Sequence, residues 1–231
     1  GKKLAWLSED AHSVNFLHVA DSNGNNIETL VKNSTASDDR ALSEVREIEW
    51  ETKDYPASMR GLLVLPQRYE QGKPLYGGIL VNTPLEWQLW AAKGYAVFIP
   101  EFRSSGAFGS MAITRDAKQE HDLVNRDIID ICTGVDALIS RGIVDKNRVA
   151  VIGFSAGGFR ANWLLVSTHR FATVISKEGW ADNYLSAGLH NFAGFKNYGG
   201  TPITHPEYYQ KNSPIYHALG ASTPALFLMG D

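Results

Sequence analysis

The stretch Val149–Phe159 reads VAVIGFSAGGF. Four apolar residues without polar alternation lead into Gly153, and Ser155 then stands between Gly153 and Gly157, with Gly158 next. An unbroken apolar run of this kind reads as a strand covered on both faces, and Ala156–Ser167 after it reads as a helix. Gly-x-Ser-x-Gly at a strand-to-helix turn is the pattern of a nucleophile elbow. The requirement is steric: the serine must take a strained backbone conformation so that Oγ projects from the turn, and the residues two before and two after approach too closely for a Cβ. The helix that follows aims backbone N–H groups at the site, so the N–H of Ala156 is placed to stabilise an oxyanion. A bare Gly-x-Ser-x-Gly arises by chance in roughly one chain in ten of this size, so the strand before it and the helix after it carry the reading. The plainer alternative is a glycine-rich turn with an incidental serine. A phosphate loop fits less well, because the Gly-Lys-Ser/Thr ending and the dinucleotide spacing are absent.

Working outward from the elbow, YGGILV (Tyr76–Val81), YAVFIP (Tyr95–Pro100), FATVIS (Phe171–Ser176) and PALFLMG (Pro224–Gly230) are further apolar strands. LEWQLWAAKG makes one short helix, ending at Gly94. A second, His121–Ser140, carries apolar residues at 124, 128, 131, 135 and 138 and stops at Gly142. VREIEWET (Val45–Thr52) and MRGLLVLP (Met59–Pro66) read as paired strands. Strands alternating with helices imply an α/β fold with a mainly parallel, doubly wound sheet. The first residues differ: KLAWL (Lys3–Leu7), SVNFLHV (Ser13–Val19) and IETLV (Ile27–Val31), separated by turns, form an antiparallel meander. So small a sheet is marginal alone, and a blade of a β-propeller has this form. Lys32–Glu44 is polar and reads as a linker, which sets residues 1–44 apart from 45–231.

Composition narrows the function classes. The 231 residues are 44% hydrophobic and 20% charged, with a net charge of −3. A chain of this length can bury roughly 70% of its unfolded surface. No basic stripe suggests nucleic acid, no apolar run approaches the ~20 residues of a membrane span, and no His/Cys/Asp cluster has metal spacing. Nothing calls for a cofactor. One cysteine, Cys132, cannot make an internal disulfide. The compartment (cytoplasm, periplasm or exterior) and self-association into a homo-oligomer stay open.

Several segments, in order, resemble the prolyl oligopeptidase family of serine peptidases, particularly its acylaminoacyl-peptidase and dipeptidyl-peptidase-like branches. AAKGYAVFIPEFRSSGAFG (Ala91–Gly109) is similar to that family's stretch ending Arg-Gly-Ser-x-Gly-x-Gly. DIIDICTGVDALISRGIVDKNRVAVIGFSAGG (Asp127–Gly158) is similar to its helix, link, strand and elbow. NYGGTP (Asn197–Pro202), KNSPIYHA (Lys211–Ala218) and STPALFLMG (Ser222–Gly230) follow suit. The likeness runs from about Ile48 to Asp231 and implies an α/β-hydrolase domain preceded by a β-propeller, of which Gly1–Ser43 would be the last piece. It also departs from the family. Asn82-Thr83 runs straight into PLEWQLWAAKGY where the family carries a His-Gly-Gly-Pro loop that completes the oxyanion hole. Arg103-Ser104-Ser105 stands for Arg-Gly-Ser.

The α/β-hydrolase order is Ser, then acid, then His. The acid is expected about two residues past Asp231 and the base further on, so the sequence reads as truncated at its end. The histidines in hand fit structural or surface roles: His12 and His18 in the blade-like segment, His121 at a helix start, His169 as a helix cap, and His190, His205 and His217 between the last two strands. Asp127, Asp130 and Asp136 along the second helix read as a solvated face. Trp180, Tyr184, Phe192 and Phe195 lie in the region that, in the resembled family, lines the pocket for the side chain before the scissile bond; ordinary packing is the equal alternative. Glu178 is a candidate to meet a positively charged substrate end, but the dipeptidyl-peptidase branch binds the free amine through propeller glutamates that this sequence lacks, so the resemblance does not carry that role over. The resemblance thus implies a peptidase acting on short peptides through an acyl-enzyme at Ser155, of oligopeptidase, aminopeptidase or acylaminoacyl-peptidase type. An esterase of the same fold and a non-catalytic binding domain are the alternatives.

Overall fold

The computed structural model describes residues 2–8, 16–32, 42–52, 58–81, 86–105, 117–190 and 200–230, and the chain separates into two units, Gly1–Val45 and Arg46–Asp231. In the first unit, β1 (Lys3–Ser8), β2 (Phe16–Asp21) and β3 (Glu28–Lys32) form an antiparallel meander in that order. Lys3 pairs with Asp21 and Ser8 with Phe16. The turn to β3 closes through Gly24 N–H to Asp21 O at 2.9 Å. His18 stacks on Trp6, ring centroids 5.2 Å apart. Its two ring nitrogens meet Ser8 Oγ at 2.7 Å and Thr29 Oγ1 at 3.0 Å. Of the described apolar side chains in this unit only Ala20 is buried, and Leu7 is 65% exposed.

The second unit is built on a seven-stranded sheet whose strand order is β10-β9-β8-β6-β7-β5-β4. Its strands are β4 (Glu44–Trp50), β5 (Met59–Leu65), β6 (Leu75–Val81), β7 (Tyr95–Pro100), β8 (Val144–Phe154), β9 (Thr173–Lys177) and β10 (Ala225–Leu228). From β7 through β10 the neighbouring strands are parallel, whereas β5 runs antiparallel to β7. The connections explain the parallel pairs: α1 (Trp87–Ala92) links β6 to β7, α2 (Ala117–Ser140) precedes β8, and α3 (Ala156–Ser167) joins β8 to β9. Between β9 and β10 lie α4 (Asn183–His190), α5 (Pro206–Lys211) and a 3-10 turn, Pro214–Gly220. α2 begins four residues before the expected His121, because no proline or glycine marks its start.

The apolar runs form the core. Leu63, Ile79, Phe98, Val151 and Val174 on the sheet meet Ile131, Val135 and Leu138 of α2 and Leu164 of α3. Each such side chain contributes about 1.5–3 kcal/mol when fully buried. Trp50 packs edge-on to Phe98 at 5.3 Å. α2 ends as its spacing predicts, with Gly142 at φ +69°, a conformation that costs glycine nothing.

The chain runs from β6 outward to β7, then returns to the other side of β6 as β8. Strand order therefore reverses between β6 and β8. In doubly wound sheets ligands bind beyond the carboxyl ends of the strands at such a switch point. β8 ends there at Phe154, and Ser155 follows.

Candidate active site

Ser155 links the end of β8 to the start of α3 at φ +54°, ψ −119°. A side-chain-bearing residue takes such a conformation only when its surroundings impose it, at a cost of about 1–3 kcal/mol. The impositions are visible. Ser155 N–H donates to Lys177 O on β9 at 2.9 Å, and Ser155 O accepts Phe159 N–H at 3.0 Å. A Cβ on Gly153 would lie 2.1 Å from Gly157 O and 2.4 Å from its carbonyl carbon. One turn on, a Cβ on Gly158 would lie 2.6 Å from Gly179 Cα. The two glycine contacts let α3 lie directly against β8 and against the chain leaving β9. The expected group thus comes together: Gly153, Ser155, Ala156 and Gly157 form the turn. The N–H of Ala156, in the first turn of α3, has no acceptor within its own helix.

Side chains fix the same turn from behind, and here the sequence reading needs correction. Asp127 and Asp130 do not form a solvated face: they are 1% and 0% exposed. Asp130 takes the Arg103 guanidinium at 2.8 Å and the Arg103 N–H at 3.0 Å. Asp127 accepts from Arg160 Nε at 2.9 Å and from Ser104 Oγ at 2.5 Å. Arg160 also donates to Ser104 Oγ and to Ala156 O, at 2.7 and 3.1 Å, and covers the Phe102 ring at 4.4 Å. The network joins the segment after β7, α2 and the first turn of α3. Its signal was available: Asp127 lies three residues after Val124 and four before Ile131, on the apolar stripe itself. Burial pushes the Asp127 carboxyl above its ordinary value, against the opposing effects of Arg160 and Ser104. Asp136 does face solvent and pairs with Arg170.

Trp180 stacks on Phe159 of α3, centroids 4.8 Å apart, and its Nε1–H donates to Asn183 Oδ1 at 2.8 Å. Asn162 of α3 donates to Gly179 O and Trp180 O at 3.2 and 3.0 Å, so this aromatic wall is tied to the elbow helix. Tyr184 on α4 is 42% exposed and meets Tyr209 edge-on at 6.4 Å. Glu178, proposed for a charged substrate end, has Oε1 accepting the Gly230 N–H at 2.8 Å. Asn82, Thr83, Phe192, Phe195, His12 and Asp231 lie outside the described residues.

Among the described residues no histidine is hydrogen-bonded to Ser155. His217 Nε2 meets Lys211 O at 2.9 Å and its ring lies 5.1 Å from Trp163. His205 meets Thr204 Oγ1 at 2.9 Å. His169 does not cap α3, where Thr168 takes that place; its Nδ1 lies 3.3 Å from Ser222 Oγ. Burial pushes the Cys132 thiol up, which keeps it protonated and poorly nucleophilic. No group of three His, Cys, Asp or Glu able to hold a metal occurs among the described residues, and no described helix is long and apolar enough to cross a membrane. A cavity of about 430 Å³ lined by Val135, Lys146, His169, Arg170 and Phe171 opens at the amino-terminal ends of β8 and β9, away from Ser155.

Comparison with known proteins bears on the family and the fold. A family model described as the prolyl oligopeptidase family matches residues 81–231. An uncharacterized peptidase, YuxL, of Bacillus subtilis is 28% identical over 84% of this chain and 31% of its own length. Acylamino-acid-releasing enzyme 1 of Oryza sativa subsp. japonica is 27% identical over 60% of this chain and 19% of its own. Among solved structures, the acylaminoacyl peptidase of Pyrococcus horikoshii matches with a TM-score of 0.80 at 21% identity, over 99% of this chain and 38% of that one. That likeness shows the shared α/β-hydrolase fold. The chain spans a third or less of the length of these curated relatives.

Proposed function

Because the chain belongs to the prolyl oligopeptidase family, we propose that it works as a serine peptidase on short peptides, with Ser155 as the nucleophile. The observation that carries this reading is the strained Ser155 at the switch point, on the end of β8 and at the head of α3. Ser155 Oγ attacks the scissile carbonyl carbon and gives up its proton to a base. The carbonyl oxygen becomes an oxyanion that the Ala156 N–H receives. Collapse expels the amine, which takes the proton back from the base, and leaves an acyl-enzyme; water then attacks the ester as the base takes its proton, and that proton returns to Ser155 Oγ as the acid is released. Trp180 and Tyr184 supply an apolar side to the pocket. The name of the acylamino-acid-releasing relative favours release of acylated amino-terminal residues. The meander β1–β3, with its exposed apolar side chains, fits a piece of a β-propeller. A propeller over such a site would admit short or unfolded peptides and exclude folded proteins.

A fluorophosphonate probe tests the nucleophile in the full-length protein. The native protein should label at Ser155, and Ser155→Ala should label at background and lose hydrolysis by several orders of magnitude. An unlabelled native protein, or full activity in the alanine variant, refutes the reading. A panel of acyl- and aminoacyl-chromogens beside simple esters then separates peptidase from esterase.

A further inference from the structure

Three strands end side by side at the candidate site, and one residue ties two of those ends through both its backbone and its side chain. Phe154 of β8 lies level with Lys177 of β9, and Lys177 with Leu228 of β10. Lys177 O accepts the Ser155 N–H at 2.9 Å, and the next N–H, that of Glu178, donates to Leu228 O at 2.8 Å. Glu178 Oε1 then accepts the Gly230 N–H at 2.8 Å. Glu178 does this at φ +51°, in the left-handed region. A glycine would adopt that conformation freely, so a glutamate held there is an outlier that asks for a reason. The left-handed turn brings its carboxylate across the end of β9 to the chain leaving β10.

We propose that Glu178 is a positioning residue that fixes the path of the chain leaving β10 relative to Ser155. The proposal rests on the reading of Ser155 as nucleophile, on the α/β-hydrolase order Ser, acid, His, and on the expectation from the sequence that the acid comes after β10. The link is short and directional: Ser155 N–H to Lys177 O, one residue on to Glu178, and the Glu178 carboxylate to Gly230 N–H. A contact made only through packing would let the end of β10 slide. A hydrogen bond to a backbone N–H fixes both its distance and its direction.

Three substitutions in the full-length protein test it. Glu178→Gln keeps an acceptor oxygen and removes the charge. Glu178→Ala removes the acceptor. Glu178→Gly removes the acceptor and the left-handed strain together. The alanine and glycine variants should lose about tenfold or more in kcat, as misplacement of catalytic groups does, with KM within about twofold. The glutamine variant should restore kcat to within about threefold. The Gly230 amide should exchange faster with solvent in the alanine and glycine variants but not in the glutamine variant. The glycine variant should melt no lower than the alanine variant. Unchanged kcat in both acceptor-free variants overturns the proposal, as does unchanged Gly230 exchange. A kcat loss that simply tracks melting temperature across the three makes the role structural and overturns it too. A native protein that fails to label at Ser155 refutes the proposed function instead, and Gly230 exchange still reports whether the clamp exists.

Discussion

Replacing Gly153 by alanine asks whether the shape of the turn, and not the serine alone, makes the site. The new methyl carbon would stand 2.1 Å from Gly157 O, 2.4 Å from Gly157 C and 2.8 Å from Gly158 N, where ordinary contacts of a Cβ lie at 3.4–4 Å. All three atoms are backbone, so no side chain can swing away, and β8 and α3 must part by more than an ångström. α3 has little room to retreat. Ala161 and Leu164 are fully buried, and Gly158 already rests against Gly179. Overpacking of a core typically costs 1–3 kcal/mol and occasionally more; with backbone on both sides we expect about 3 kcal/mol or above. A shift of about an ångström in a nucleophile can cost about a hundredfold in rate. Fluorophosphonate labelling kinetics and urea unfolding measure the two effects. Gly78→Ala on β6 is the control: a Cβ there meets nothing within 4 Å. It should leave labelling unchanged and stabilise by about 0.4–1 kcal/mol through the unfolded state. If Gly153→Ala labels at the native rate with an unchanged urea midpoint, or if Gly78→Ala suffers equally, the steric reasoning fails.

Asp130→Ala should destabilise by about 3–5 kcal/mol, because it removes the buried carboxylate that takes both the Arg103 guanidinium and the Arg103 N–H; a loss below about 1 kcal/mol by urea unfolding would contradict this. Asp127 holds its proton more tightly in the fold than in the unfolded chain, where the value is about 3.8. Its contribution to stability is therefore greatest below that value and falls as pH rises through the raised native value. Asp127→Asn cannot titrate, so, apart from a constant offset for the lost pairing, it should gain on the native protein as pH rises from about 4 to 7. A difference that stays flat with pH, or runs the other way, refutes the assignment.

The elements that were legible in the sequence are those whose signals are local. β7 matches YAVFIP residue for residue because Gly94 precedes it and Pro100 ends it. α3 matches Ala156–Ser167 because the elbow fixes its first residue. The Asp127 and Asp130 network was not legible in the same way. Their partners, Arg103, Ser104 and Arg160, stand 23 to 33 residues away in the chain, and a charge on a helix does not announce which distant charge it will meet. Periodicity could still have placed Asp127 on the buried stripe; charge alone overrode it. Glu178 was visible as a carboxylate, but its left-handed backbone was not. A positive φ at a non-glycine residue is imposed by tertiary contacts, here the ends of β9 and β10, and leaves no mark on composition.

The same distinction explains why buried charge surrounds the elbow at all. A strained turn persists only where its neighbours over-determine it. Glycine contacts set how closely α3 approaches β8, but smooth backbone surfaces do not set where along each other they rest. Directional bonds do. Arg160 reaches from Ala156 O within its own helix to Asp127 on α2 and to Ser104 after β7, so the first turn of α3 is held against two other segments at once. Asp127 and Asp130, one turn apart on α2, grip the consecutive residues Ser104 and Arg103, which fixes that segment in register as well as in distance. A buried ion pair contributes little net stability beside an apolar replacement of the same volume. Its effect here lies in position: it holds the Ala156 carbonyl, one peptide on from the Ala156 N–H, against α2 and the segment after β7, and apolar contacts alone would leave that first turn of α3 free to drift.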